Sequence, residues 1–269
     1  MGIYGLGTIG RRVASALHEG IEGLELCGVC SQSADKAAGF LATLQPAAAG
    51  RTVPVLDAED LARKSDVLVD CAPAAAFRTI AEAAMKHGRT LVTVSGAALL
   101  DCQDLIEHAR KTGARIILAT GALLGLDAMR AAAEGQIHSV RMVTRKPPRS
   151  LAEAPVVRAQ RIDLERLTEP LCLFRGSALD GARQFPANVN VAAALGLAGI
   201  GPARTQLEIW ADPALTRNTH TIHVDADSAR FQMTIENIPT EEPPGTGRIT
   251  ALSVIACLRS MTAPLKIGT

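Results

Sequence analysis

Apolar and polar positions follow two different rhythms along the chain. Through residue 120, short and nearly continuous apolar runs alternate with stretches whose apolar residues fall three or four apart. Met1–Tyr4, Leu24–Cys30, Asp66–Cys71, Thr90–Val94 and Arg115–Ala119 read as strands. Thr8–Glu19, Ala34–Leu44, Asp57–Lys64, Ala74–His87 and Leu99–Thr112 read as helices, the first with Ile9, Val13, Ala16 and Leu17 on one face. Strands that are apolar throughout are buried on both faces, which predicts a parallel sheet flanked by helices.

The rhythm changes after Thr120. Leu126–Glu134 reads as a helix and Ile137–Thr144 as a strand, before Lys146-Pro147-Pro148 breaks the chain. Thr205–Trp210, His220–Val224 and Phe231–Glu236 are closely spaced amphipathic runs that predict a mostly antiparallel sheet. Asn188–Leu197 and Ile249–Leu258 read as helices. The expected fold is α/β: a Rossmann-type doubly wound parallel sheet over 1–120, then an α+β domain over 121–269 with a mostly antiparallel sheet. The last helix is expected to pack back on the first domain.

Composition narrows the function classes. Aromatic residues make up 3% of the chain, so the core is built from Ala, Leu, Val and Ile. A net charge of +1 speaks against nucleic acid or an acidic membrane surface as the main partner. No run approaches the roughly 20 apolar residues of a membrane span, and no leader precedes the first strand, so a cytoplasmic protein is expected. Six cysteines are scattered. Cys27 and Cys30 lie three apart on an expected strand, hence on opposite faces, and no second Cys/His pair stands at zinc spacing. Reduced structural thiols and no metal site are expected.

The densest chemical signal is Gly5-Leu6-Gly7-Thr8-Ile9-Gly10 between the first strand and the first helix. Gly5 permits the tight turn, Gly7 lets the backbone approach a pyrophosphate, and Gly10 lets the helix pack closely. The backbone N–H groups that open the helix, at Thr8 and Ile9, favour an anion. After the second strand the chain reads Cys30-Ser31-Gln32-Ser33, with no acid until Asp35. A carboxylate there would bind the ribose hydroxyls of NAD and repel a 2′-phosphate. Its absence leaves NAD or NADP usable, with Ser31 a candidate contact and Ser33 a candidate helix cap.

Further segments occur in a fixed order: Thr120-Gly-Ala-Leu-Leu-Gly-Leu-Asp127, Lys146-Pro-Pro148, Phe185-Pro-Ala-Asn-Val-Asn-Val-Ala-Ala-Ala194, Asp212-Pro213, Asn218-Thr-His220-Thr-Ile222, Glu236-Asn-Ile-Pro239 and Thr246-Gly-Arg-Ile-Thr-Ala-Leu-Ser253. Together they resemble the L-aspartate dehydrogenase family over nearly the whole chain. The resemblance implies oxidation of L-aspartate with NAD or NADP to iminoaspartate, then oxaloacetate and ammonia, and the reverse amination. It implies a catalytic role for His220, cofactor contacts at Asn190 and through the main chain at Leu124, and a homodimer. One departure lies at Pro243-Pro244-Gly245-Thr246, where relatives commonly carry Asn and a basic residue.

The residues themselves agree with this chemistry. Amine oxidation needs a base whose pKa suits proton transfer, and histidine is the usual choice. Of six histidines, His18, His87 and His108 fall on or at the end of expected helices, and His138 opens a strand. His220 and His223 share a strand but point to opposite faces, whereas Asn218 and His220 share one. Asn188 and Asn190 open a helix, where asparagine also serves as a cap. The two carboxylates of aspartate require a cationic clamp, for which Lys146 is a candidate, with Asn188 a second substrate contact. Two alternatives stay open from sequence: a dehydrogenase or reductase of a related imine, keto acid or amino acid, and a non-catalytic dinucleotide-binding sensor.

Overall fold

The computed structural model describes residues 1–44, 52–186, 189–240 and 247–268. The chain forms two compact units, one of Met1–Ala119 with Thr250–Lys266 and the other built on Thr120–Ile249. Among the described residues no helix is long and apolar enough to cross a membrane.

The first unit holds strands β1 (Gly2–Tyr4), β2 (Gly28–Cys30), β3 (Val67–Asp70), β4 (Thr90–Thr93) and β5 (Arg115–Leu118). They pair in the order β2-β1-β3-β4-β5, every pair parallel. Helices Thr8–Gly20, Ala34–Thr43, Ala58–Lys64, Phe77–Lys86 and Asp104–Thr112 connect them. This is the doubly wound sheet read from the apolar strands. Its winding reverses between β1 and β3, the position where open α/β sheets bind ligands beyond the strand ends. The core gathers Ile3, Val29, Val69 and Val92 from the strands with Val13 and Leu17 from the first helix. Val254, Ile255 and Leu258 of helix Ile249–Thr262 join the same cluster. The Thr262 hydroxyl donates to the Glu22 carbonyl at 2.7 Å, fixing the end of that helix.

The second unit holds strands β6 (Ile137–Lys146), β7 (Leu171–Ser177), β8 (Gln206–Ala211), β9 (Asn218–Ala226) and β10 (Arg230–Asn237), in the order β10-β9-β6-β8-β7. Only the β6/β8 pair is parallel. Along β9 every second residue from Asn218 to Val224 is buried, so one face of this sheet is interior and the other is not. Val140, Met142, Leu207, Ile209, Ile222 and Val224 form the apolar part of the inner face.

Several elements differ from the sequence reading. The strand expected over Leu24–Cys30 is only Gly28–Cys30. A ladder needs a partner, and β1 offers residues only from Gly2 onward; Cys27 makes a last bond to the Met1 carbonyl. The helix expected over Leu99–Thr112 is two helices, Gly96–Leu100 and Asp104–Thr112. Leu99 and Leu105 are both buried yet six apart, and a continuous helix of about 3.6 residues per turn would place them on different faces. The break at Asp101–Gln103 restores the match, and the Gln103 side chain donates to the Leu99 carbonyl at 3.2 Å. Strand β7 has no counterpart in the sequence reading. Its register shifts between Cys172 and Phe174, which spoils the alternation that would reveal it.

The glycine turn shows what each glycine is for. Gly5 has φ +84°, and a Cβ there would meet the Cys71 carbonyl oxygen at 2.6 Å. A Cβ on Gly10 would overlap the Gly5 carbonyl oxygen, whereas one on Gly7 would meet nothing within 4 Å. Gly10→Ala is therefore expected to destabilise the chain by about 3 kcal/mol through overpacking, a drop of roughly 6–12 °C in midpoint. Gly7→Ala should leave the midpoint within about 2 °C. Thermal melts of the two variants check this; equal midpoints would refute the assignment of Gly10 to packing.

Candidate active site

The turn that follows β1 runs directly into helix Thr8–Gly20. Gly7 is the N-cap, no side chain caps this helix, and its first turn carries no acidic residue. The open space in front of Gly7, the uncapped helix start and the close packing at Gly10 together fit a dinucleotide pyrophosphate. After β2, Ser31 is half-buried. Ser33 caps helix Ala34–Thr43, accepting from the Lys36 amide at 3.4 Å. Asp35 lies in the first turn of that helix and is exposed.

A buried carboxylate at the end of β3 was not singled out by the sequence. Asp70 is fully buried. It accepts from the Thr93 hydroxyl at 2.8 Å, the Ser95 hydroxyl at 2.7 Å and the Ala72 amide at 3.1 Å. Burial pushes its pKa up, and these three hydrogen bonds oppose the rise. The network ties the loops that leave β3 and β4 to one another, fixing the Ser95-Gly96 turn.

In the second unit a polar cluster interrupts the apolar inner face of the sheet. Thr144 on β6 pairs with His220 on β9, and Asn218 on β9 pairs with Asn237 on β10. Arg145 pairs with Thr219, so the next rung along sets Lys146 beside Asn218. Thr144, Lys146, Asn218, His220 and Asn237 are all buried. Lys146, expected at a chain break, is the last residue of β6 and the one buried Lys or Arg among the described residues. Burial lowers its pKa to about 8. His220 Nδ1 lies 3.0 Å from Thr144 Oγ1. Burial, then the Lys146 charge, lowers the His220 pKa to about 3, so the imidazole is neutral at physiological pH. The Asn237 amide nitrogen donates to the Ala122 carbonyl at 2.9 Å, tying β10 to the loop that carries Leu124. Among the described residues, neither the Asn218 nor the Asn237 side-chain oxygen has a hydrogen-bond partner.

Leu124 is half-buried and precedes Gly125, whose left-handed backbone (φ +70°) starts helix Leu126–Ala133. Asn190 is the first residue of helix Asn190–Ala198 and is half-buried; the cap of that helix is Val189. Asn188 and Pro243–Thr246 lie outside the described residues. His223, as strand parity requires, is on the other face of the sheet, lining a shallow concavity of about 540 Å³ with Arg141, Asp225 and Arg230. Of the buried cluster, the sequence reading singled out Lys146 and His220 and placed Asn218 on the His220 face. Asn237 lies in the Glu236–Pro239 segment of the resemblance but carries no role there, and Thr144, two residues before Lys146 and hence on its face, lies in none of those segments. Among the described residues no group of three His, Cys, Asp or Glu side chains is arranged to hold a metal.

Comparison with known proteins gives this cluster its context. Residues 127–261 match the family model described as aspartate dehydrogenase, C-terminal, and residues 5–119 match that of the homoserine dehydrogenase NAD binding domain. The chain is 52% identical to an L-aspartate dehydrogenase of Bradyrhizobium diazoefficiens over 99% of its own length and 93% of the relative's. The chain belongs to the aspartate dehydrogenase family. It is also 48% identical to L-aspartate dehydrogenase 3 of Bordetella bronchiseptica, over 99% of this chain and 96% of that one. A crystal structure of aspartate dehydrogenase from Thermotoga maritima shares the fold, with TM-score 0.74 and 22% identity over 99% and 98% of the two chains. The first unit thus has the fold of a nicotinamide-dinucleotide domain, and all five residues of the buried polar cluster fall within the segment matched by the C-terminal family model.

The buried neutral imidazole has a consequence for stability. The His220 pKa of about 3 lies below its ordinary 6.5, so between those values the unfolded chain binds a proton that the native chain does not. Stability therefore rises with pH across that window and falls on acidification below about 6.5. On going from about pH 7 to about pH 5, wild type should lose more unfolding free energy than His220→Gln. Denaturant midpoints at the two pH values measure this, and parallel losses would contradict it.

Proposed function

We propose that this chain is an NAD(P)-dependent L-aspartate dehydrogenase. It converts L-aspartate and oxidised dinucleotide to iminoaspartate, reduced dinucleotide and a proton. Water then hydrolyses the imine to oxaloacetate and ammonium, and the sequence also runs in reverse. The observation that carries this reading is the buried cluster of Thr144, Lys146, Asn218 and His220, in a chain 52% identical to a named L-aspartate dehydrogenase.

The dinucleotide, when bound, supplies the hydride acceptor. Gly5, Gly7 and Gly10, with the amides of Thr8 and Ile9, hold its pyrophosphate. Ser31 contacts the adenosine ribose, and with no acid before Asp35 the site takes NADP as well as NAD. Asn190 and the main chain of Leu124 contact the remainder of the cofactor. Lys146 takes a substrate carboxylate, and Asn188 makes a second substrate contact.

His220 acts on protons. In the tautomer whose Nδ1–H donates to Thr144, the lone pair sits on Nε2, which accepts a proton from the substrate amine or from the water that attacks the imine. Its low basicity is an asset only if it rises with substrate present. A carboxylate paired to Lys146 offsets the lesser of the two causes that depress the imidazole, its neighbour's charge, so substrate binding raises the basicity of His220 while burial continues to hold it down.

The reading extends to context. The protein works in the cytoplasm, where six unpaired thiols are stable. It is a homodimer, with the outer face of the second sheet as the interface. Thr219, Thr221, His223 and Trp210 on that face are half-buried.

His220→Ala should lower kcat by about 10²–10⁴-fold while leaving the dinucleotide Kd within about twofold. Absorbance of the reduced dinucleotide during aspartate oxidation, with a fluorescence titration for binding, measures both; unchanged turnover would sink the role. Oxaloacetate with ammonium should be aminated with NADH and with NADPH alike. A preference beyond about 10³-fold, some 4 kcal/mol, for NADH would remove the reading of the acid-free turn.

A further inference from the structure

We infer that Asn218 and Asn237 form the nitrogen subsite: their side-chain oxygens accept hydrogen bonds from the substrate amine, from the iminium, and from ammonia in the amination direction. The inference rests on the activity proposed above and goes beyond it by naming the groups that recognise nitrogen.

The starting point is an imbalance in hydrogen bonding. Asn218 is 4% exposed and Asn237 is 3% exposed, and neither side-chain oxygen has a partner among the described residues. A buried acceptor without a donor costs about 1–3 kcal/mol, so such atoms call for an explanation in a native fold. For Asn237 the amide orientation is fixed. Its nitrogen donates to the Ala122 carbonyl at 2.9 Å, so the oxygen is the end left over.

The two oxygens belong to one place. Asn218 and Asn237 face each other across the β9/β10 ladder. Directly opposed residues stand roughly 5 Å apart at Cβ, within reach of a single small donor. His220 follows Asn218 on the same face of β9, two residues further along. Lys146 lies on the neighbouring strand beside Asn218.

The chemistry of the row selects its ligand. A carboxylate side chain at 218 would be drawn to Lys146 and would occupy it. Amide oxygens accept hydrogen bonds without competing for that cation. The row therefore offers a cation for a carboxylate and, directly alongside, neutral acceptors for N–H. An α-amino acid presents those two groups on one carbon, and its amine, its iminium and free ammonia are all N–H donors. His220 stands on the same face, where the proton released from nitrogen is to be received.

Asn218→Leu tests this, because leucine has a similar volume and no polar atom. In amination of oxaloacetate the variant's KM for ammonium should rise about tenfold or more, the loss of roughly 1.4 kcal/mol. The KM for oxaloacetate and the dinucleotide Kd should stay within about twofold. Its thermal midpoint should equal or exceed that of wild type, since an unsatisfied buried acceptor has been removed. Asn218→Asp should show the opposite split. It keeps acceptor oxygens in place, so its ammonium KM should hold within about threefold of wild type, while its carboxylate competes for Lys146 and raises the KM for oxaloacetate. Should the leucine variant not fold, Asn218→Ala, which likewise removes the acceptor, gives the same kinetic readout.

An unchanged ammonium KM with a lowered midpoint would mean that the pair binds a structural water, and would overturn the subsite. A raised dinucleotide Kd would move the pair to the cofactor and would overturn the subsite as well. A wild-type chain that aminates no oxaloacetate with either dinucleotide overturns the proposed activity, and the subsite with it. A wild type that does so, beside an unmoved ammonium KM in Asn218→Leu, overturns the subsite alone.

Discussion

Removal of water from a small polar row governs the second unit of this protein. The inner face of its sheet is Val, Met, Leu and Ile along most of its length, then Thr144, Lys146, Asn218, His220 and Asn237 at one end. Burying a cation, an imidazole and two amides on an otherwise apolar surface is costly unless each finds a partner. The cost is visible in the directions of the shifts: lysine is made easier to deprotonate, and histidine harder to protonate. An apolar face would have served the fold better, so the row is best understood through what it binds.

On the proposed activity the first unit solves a different problem, that of bringing backbone close to an anion. Only a turn without side chains does this, and the three glycines divide the work. Gly5 supplies the left-handed backbone, Gly10 the close packing against the Gly5 carbonyl, and Gly7 the open approach. The adjacent β3 and β4 loops are held by Asp70 through Thr93 and Ser95, so hydrogen bonds as well as the packing of Cys71 and Val94 on the core set the rim of the parallel sheet.

The parallel sheet was readable from sequence because strands buried on both faces leave unbroken apolar runs, and the glycine pattern sits where such a sheet begins. Strand β7 was not readable, because its register shift at Cys172/Phe174 erases the alternation. The break between helices Gly96–Leu100 and Asp104–Thr112 was not readable, because neither Gly nor Pro marks Asp101–Gln103 and it is the burial of both Leu99 and Leu105 that demands it. Lys146 looked like a loop residue because Pro147 and Pro148 follow it, yet the strand runs up to the proline and carries the lysine inward. Parity along β9 did place Asn218 and His220 on one face. What parity cannot give is whether a buried polar atom is satisfied, since that depends on neighbours distant in the chain. Asn237 meets Ala122 across 115 positions, and its free oxygen becomes evident only once that bond is seen.

On the proposed activity, Lys146 and His220 form a conditional pair. Burial first, and the Lys146 charge second, make the imidazole a poor base, and a poor base in a dry site loses little to stray protonation. A substrate carboxylate at Lys146 offsets the second of these, and the imidazole gains some basicity at the moment an amine is present to be deprotonated. Catalytic competence is thereby tied to occupancy without requiring any movement of the sheet that carries the residues. The same logic explains why the row mixes one cation with neutral acceptors. A second cation would depress His220 further, and a fixed anion would pair with Lys146 and remove the response of His220 to substrate. Neutral amide oxygens at 218 and 237 leave the switch to the substrate.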